Sequence, residues 1–134
     1  MQSIELIDPD EEAYAEFSDN FTAYNADNST WDWKSYSCVV RSEGRIVAGG
    51  RGVINMGALE IRGLWVDENL RGRGTGARIL KAIEDEARRR GATRAMLFTF
   101  SWQAEEFYQR MGYRKFAQFD FPDGPQRIDM KKEF

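Results

Sequence analysis

Between a strand-like and a helix-like stretch the chain carries Arg71-Gly72-Arg73-Gly74-Thr75-Gly76, with three glycines in its last five residues. Few folds admit such a turn. Glycine reaches backbone conformations that other residues avoid, so a strand can stop and a helix begin within one tight loop. Upstream, Ala58 to Val66 reads as a strand, closed by Asp67-Glu68-Asn69. Downstream, Ile79, Leu80, Ile83 and Ala87 fall on one side of a helix running from about Thr75 to Arg90. Arg88-Arg89-Arg90 and Gly91 end that helix, with cations where its dipole favours them and glycine where the chain must turn. Strand, glycine turn and helix in this order also make an anion site. The free amides and the positive dipole end of the helix face the ligand, and Arg71 and Arg73 add charge beside them.

The remaining pattern supplies the rest of a domain. Asp8-Pro9-Asp10-Glu11 reads as a helix start, with Asp8 as cap and Pro9 in the first turn. Tyr14, Phe17, Phe21 and Tyr24 then recur at helical spacing, which assigns most of them to a core. Tyr36 to Val40 and Arg45 to Ile54 are strand-like and meet at Ser42-Glu43-Gly44; Met56-Gly57 marks a second turn. Thr93 to Phe100 predicts a strand and Gln103 to Met111 a short helix stopped by Gly112. Phe116 to Phe121 and Arg127 to Lys131 predict a closing hairpin around Pro122-Asp123-Gly124-Pro125. At 134 residues this is one domain's worth of chain, residues 1–134. The order of elements gives an α+β class, a mixed sheet flanked by helices.

Absences narrow the chemistry. The chain has no histidine and one cysteine, Cys38, so neither a Ser-His-Asp or Cys-His nucleophile system nor a standard zinc site can be built. Acid–base work falls to Asp, Glu, Tyr, Cys or Lys. Cys38, beside Val39 and Val40, reads as strand filler. No signal-peptide-like start and no membrane-spanning apolar run are present, and the expected setting is a reducing cytoplasm. Charge is uneven: residues 1–36 hold nine acids and one base, a net −8, against +5 over the rest of a chain whose total is −3. An acidic end of this kind is either a solvated helix face or a surface for a cationic substrate, with the basic remainder holding an anion. No basic stripe interleaved with aromatics favours nucleic acid.

The anion is not a nucleotide of the common kinds. A P-loop requires Lys-Ser or Lys-Thr after its last glycine, where this chain has Ala77-Arg78, and the glycine spacing is wrong for a dinucleotide fingerprint. Arg71-x-x-Gly74-x-Gly76 instead resembles the Gln/Arg-x-x-Gly-x-Gly/Ala motif of the GCN5-related N-acetyltransferases (GNAT). Leu64-Trp65-Val66 through Gly76 is similar to that family's fourth strand and pyrophosphate loop. Ala104-Glu-Glu-Phe-Tyr108-Gln-Arg-Met-Gly112-Tyr113 resembles its closing signature, and Leu97 to Ala104 a bacterial subgroup with Thr-Phe-x-Phe-Gln-Ala. The resemblance covers residues 58–113 strongly, extends to Phe134, and is weak before Ala58. Two departures stand out: Ser101 replaces an asparagine that contacts the cofactor arm in many members, and Phe98 replaces an acid common in the subgroup.

The resemblance implies a mostly antiparallel sheet and a transferase moving an acetyl group from acetyl-CoA, its cosubstrate, to a primary amine of a small molecule or peptide. It implies a cofactor site at Leu64, Trp65, Val66, Arg71, Gly72, Arg73, Gly74, Thr75 and Gly76, with Ser101 and Ala104 beside the arm. It further implies that two strands splay near Leu64 to Val66, leaving a backbone N–H for the developing oxyanion and an edge for the pantetheine arm. Tyr108 is implied as the general acid for the leaving thiolate, its ordinary pKa of ~10 suiting that donation. Glu60 stands where some members place a general base. Period-two alternation puts it on one face with Arg62, Leu64 and Val66, so it is either that base, acting through water, or a surface carboxylate paired with Arg62. Asp27, Asp32 and Trp31 or Trp33 are candidates for meeting a cationic amine. A homodimer stays open. The alternative function is a non-catalytic acyl-CoA-binding or sensing module on the same fold.

Overall fold

The computed structural model describes residues 1–28 and 33–134, which fall into two compact units, Met1–Trp31 and Asp32–Phe134. In the first unit, helix α1 spans Glu12–Asn28 and begins later than the Asp8-Pro9 signal predicts. The Glu11 amide donates to the Asp8 carbonyl at 3.0 Å, and the Glu11 carboxylate accepts from the Asp8 amide at 3.1 Å. Those two bonds close a separate turn ahead of the helix. The aromatic stripe is helical as expected: Tyr14 to Phe17 and Phe17 to Phe21 have ring centroids 6.2 and 5.9 Å apart. It is not core, however, because all four aromatics are exposed and α1 buries no residue. Spacing fixes which side chains share a face but not what covers it.

The second unit is a six-stranded sheet with two α-helices. Its elements are β1 (Lys34–Ser42), β2 (Arg45–Asn55), β3 (Ala58–Val66), α2 (Thr75–Arg89), β4 (Arg94–Phe100), α3 (Glu105–Arg110), β5 (Arg114–Asp120) and β6 (Gln126–Glu133). The strand order is β1-β2-β3-β4-β6-β5; among the described residues only β3 and β4 pair in parallel. Glu43-Gly44 and Met56-Gly57 both sit at positive φ, as two-residue hairpin turns require. Ile79, Leu80, Ile83 and Ala87 of α2 are buried with Leu59, Ile61, Leu97 and Met130 of the sheet, each large aliphatic contributing about 1.5–3 kcal/mol. Close packing is allowed by Gly50 and Gly52, where an added Cβ would lie 2.8 Å from Ile83 Cδ1 and from Leu59 Cδ1 respectively.

Two irregularities prepare the site. The β3–β4 pairing ends at Glu60 and Met96, so β3 beyond Glu60 has no partner on that side. Opposite, Arg51 pairs with Gly63 and Gly52 with Ile61, so Arg62 is a bulge residue. The bulge corrects the expected alternation. Leu59 and Ile61 face the core before it, while Leu64 and Val66 pack on the core after it. Glu60 and Arg62 therefore do not share a face with Leu64 and Val66, because one extra residue reverses the parity of the strand.

Candidate active site

The glycine loop is held by its neighbours before any ligand is considered. Asp67 donates its amide to Val47 O at 2.8 Å, and its carboxylate accepts from the Asn69 amide at 3.0 Å. Glu68–Leu70 then forms one 3₁₀ turn. Arg71 Nε donates to Val66 O at 3.1 Å, which pins the guanidinium to the end of β3. Gly74 is the N-cap of α2 at φ 77° with no side-chain cap, and the first turn holds no acid. The first helical bond runs from Arg78 N to Gly74 O at 3.1 Å, leaving the amides of residues 75–77 directed out of the helix end. A Cβ at Gly72 or Gly74 would meet no atom within 4 Å, so these glycines serve the positive φ and an open approach to the backbone. Gly74→Ala is expected to cost about 1–2 kcal/mol for the left-handed conformation and to weaken anion binding at the loop. Thermal unfolding with and without coenzyme A measures both effects.

Two clefts meet beside this loop. The larger, about 760 Å³, runs from Leu64, Trp65 and Val66 past Arg71, Gly72, Gly74, Thr75 and Gly76 to Ala104, Phe107 and Met111. The smaller, about 450 Å³, opens where β3 and β4 part, lined by Glu60–Leu64, Phe98–Phe100 and Tyr108. Leu64, Gln103 and Ala104 line both. Val66 and Phe107 approach Gly76 closely, which joins β3, α2 and α3 around the larger cleft.

Tyr108 is 8% exposed, its ring packed edge-on to Phe107 and Tyr113. Its hydroxyl makes no hydrogen bond within the described residues, and no buried side-chain oxygen there lacks a partner, so the hydroxyl meets the cleft. Burial raises its pKa above the ordinary phenol value and keeps it protonated. Glu60 lines the same cleft, with both oxygens accepting from Arg62, at 3.1 Å from Nε and 3.3 Å from Nη2. The surface pairing expected for Glu60 is present, and it leaves the carboxylate at the cleft wall.

Two of the expected cofactor contacts, Ser101 and Arg73, are outside both linings. The Ser101 hydroxyl accepts from the Gln126 amide at 3.0 Å, and the Ser101 amide donates to Gln126 O at 2.9 Å. Together these bonds tie the end of β4 to the start of β6. Trp33 carries the Arg62 guanidinium 4.4 Å from its ring centroid, so its face already holds a cation. Asp32 and Trp31 lie outside the described residues, and Asp27 is exposed on α1. Phe98 lines the smaller cleft with the Arg127 guanidinium 3.9 Å from its ring centroid, and Arg127 is in turn paired with Asp129 at 3.1 Å. The residue that sequence reasoning passed over is Gln103, visible there only as one letter of the subgroup run.

The split parallel strand pair leaves a free strand edge beside an uncapped helix N-terminus, and comparison with known proteins gives this arrangement a family. The model of the acetyltransferase (GNAT) family matches residues 5–113. A blasticidin-S acetyltransferase of Streptomyces morookaense is 38% identical over 95 residues, 69% of this chain and 68% of that protein. Acetyltransferase Atu2258 of Agrobacterium fabrum is 33% identical over 108 residues, 79% of each chain. The crystal structure of an acetyltransferase from Bacillus cereus superposes with a TM-score of 0.84 at 31% identity, covering 97% of this chain and 98% of that one. The chain belongs to the acetyltransferase (GNAT) family. It is an N-acetyltransferase with that family's mixed, mostly antiparallel α+β sheet. Among the described residues no helix is long and apolar enough to cross a membrane.

Proposed function

We propose that this enzyme transfers an acetyl group from acetyl-CoA directly to a primary amine of a small molecule or peptide, with residues 1–134 as one N-acetyltransferase domain acting in the cytoplasm. The observation that carries this reading is the meeting of the two clefts at Leu64, Gln103 and Ala104, one bordered by the glycine loop, the other by Tyr108. The larger cleft suits coenzyme A. The uncapped, acid-free start of α2 and the open backbone at Gly72 and Gly74 support a pyrophosphate there, with Arg71 beside it. The unpaired edge of β3 past Glu60 supports an extended pantetheine arm bonded like an added strand. The acetyl group would then lie at the junction, and the amine would enter through the smaller cleft.

In the transfer, the amine lone pair forms the N–C bond to the carbonyl carbon, the C–S bond breaks, and the electron pair stays on sulfur. Tyr108 gives its proton to the thiolate and regains one from solvent. Glu60, through water, takes the proton that the amine loses. A backbone N–H of the Leu64–Val66 edge stabilises the carbonyl oxygen as charge develops. Because the Tyr108 pKa is raised, its proton stays in place at neutral pH and is lost only as pH rises above ~10. The acid limb of the rate profile therefore does not come from Tyr108. Glu60→Gln is expected to lower kcat/KM by about tenfold or more below the amine's pKa, with the loss shrinking as pH rises. A pH series on the variant checks this, and a loss constant with pH would assign Glu60 to holding Arg62.

A further inference from the structure

Gln103 stands where the clefts join, and the fold fixes which way its carboxamide points. Its Oε1 accepts from the Phe100 amide at 2.9 Å and from the Thr99 hydroxyl at 3.3 Å. A backbone N–H can only donate, so the atom it meets is the oxygen and the other end is the NH₂. Thr99 is 2% exposed, and its oxygen in turn accepts from the Ala104 amide at 3.4 Å. The Gln103 amide donates to Phe100 O at 2.9 Å, closing the turn from β4 into α3. The carboxamide is therefore anchored through its oxygen from two directions. Its Nε2 has no hydrogen bond within the described residues, and the residue lines both clefts.

We propose that the Gln103 carboxamide donates an N–H to the carbonyl oxygen of the acyl group at the junction, as a second donor beside the β3 backbone. This rests on the acyl-transfer reading above and adds a catalytic residue to it. The anchoring is what makes the donor useful. A side chain held at its oxygen turns its NH₂ to one place without reorganising as charge grows on the carbonyl, and fixed donors of this kind are worth about 10²–10³ in rate. Acetyl-CoA and desacetyl coenzyme A separate the role from simple cofactor contact, because only the first carries the carbonyl.

The test uses the full chain and two variants. In Gln103→Glu a carboxylate oxygen keeps accepting from Phe100 and Thr99, but the donor is gone. Gln103→Met is neutral and similar in length. Both are expected to lower kcat for thiol release from acetyl-CoA by about 10²-fold. Calorimetric Kd values for desacetyl coenzyme A are expected to stay within about threefold of wild type. Wild-type kcat in Gln103→Met would overturn the proposal, as would a loss mirrored in the Kd for desacetyl coenzyme A. A wild-type enzyme that releases no thiol with any amine would overturn the acyl-transfer reading itself, a result distinct from either.

Discussion

Tyr108→Phe is expected to lower kcat by about 10²-fold or more while leaving coenzyme A affinity close to wild type. The ring is the buried part of this residue, packed on Phe107 and Tyr113, and phenylalanine keeps that packing. The hydroxyl contributes nothing to the fold that the structure records, since it bonds to no described residue. Removing it leaves stability within about 0.5 kcal/mol and deletes only a proton at the cleft. The thiolate must then leave unprotonated or draw on water, and the bond-breaking step loses its acid. Stopped-flow or steady-state thiol release measures the effect. The variant's rate should also lose the decline above pH ~10 that titration of Tyr108 would give the wild type. A Tyr108→Phe enzyme of full activity would remove the phenol from the mechanism.

The largest stability effect is expected away from the clefts, at Lys132. Glu84 of α2 is 3% exposed, and its carboxylate is met from two sides. Lys132 Nζ lies 2.9 and 3.2 Å from its two oxygens, and the Tyr113 hydroxyl donates to it at 2.7 Å. The same ammonium donates to Met111 O at 2.9 Å, so one cation joins α2, the end of α3 and β6. Lys132→Met removes it and leaves a buried carboxylate with one neutral donor, a change that costs about 3–5 kcal/mol. For a chain of this size, Tm falls by on the order of 10 °C. Adding Glu84→Gln to Lys132→Met should recover part of the loss, because the uncompensated charge goes with it. Thermal unfolding of the three variants reads the coupling. Burial, then the adjacent Glu84 carboxylate, raises the Tyr113 pKa far above the ordinary phenol value. A raised folded-state pKa stabilises below the unfolded value and is lost above it, so this contribution is constant through neutral pH and declines above ~10.

Much of this architecture was legible in the sequence, for identifiable reasons. Period-two and period-3.6 patterns are local, so β3 was read at Ala58–Val66 and α2 from Thr75 with their observed starts. The Glu43-Gly44 and Met56-Gly57 turns were legible because positive φ restricts which residues serve. Long-range geometry was not. The Arg62 bulge depends on how β3 registers against β2, which no alternation within β3 records. The Glu84–Lys132 pair joins residues 48 apart, a separation that no local pattern records. At the site, Tyr108 and the glycines were singled out by motif, and the fold brings them to adjoining clefts. The position of Ser101 in a run says nothing of where its hydroxyl turns, and in the structure that hydroxyl meets the Gln126 backbone. The orientation of Gln103 was not legible either, since it is set by which end of its carboxamide Phe100 and Thr99 hold.

The central claim is that the joined clefts carry an acetyl group from acetyl-CoA to an amine. It is tested most directly by thiol release from acetyl-CoA across polyamines, aminoglycosides, amino acids, lysine peptides and blasticidin S, with acetylated product identified by mass. The account predicts turnover with one class of primary amine, product heavier by one acetyl group, and near loss of the signal in Tyr108→Phe. Tight acetyl-CoA binding with no acetylated amine from any class would contradict it.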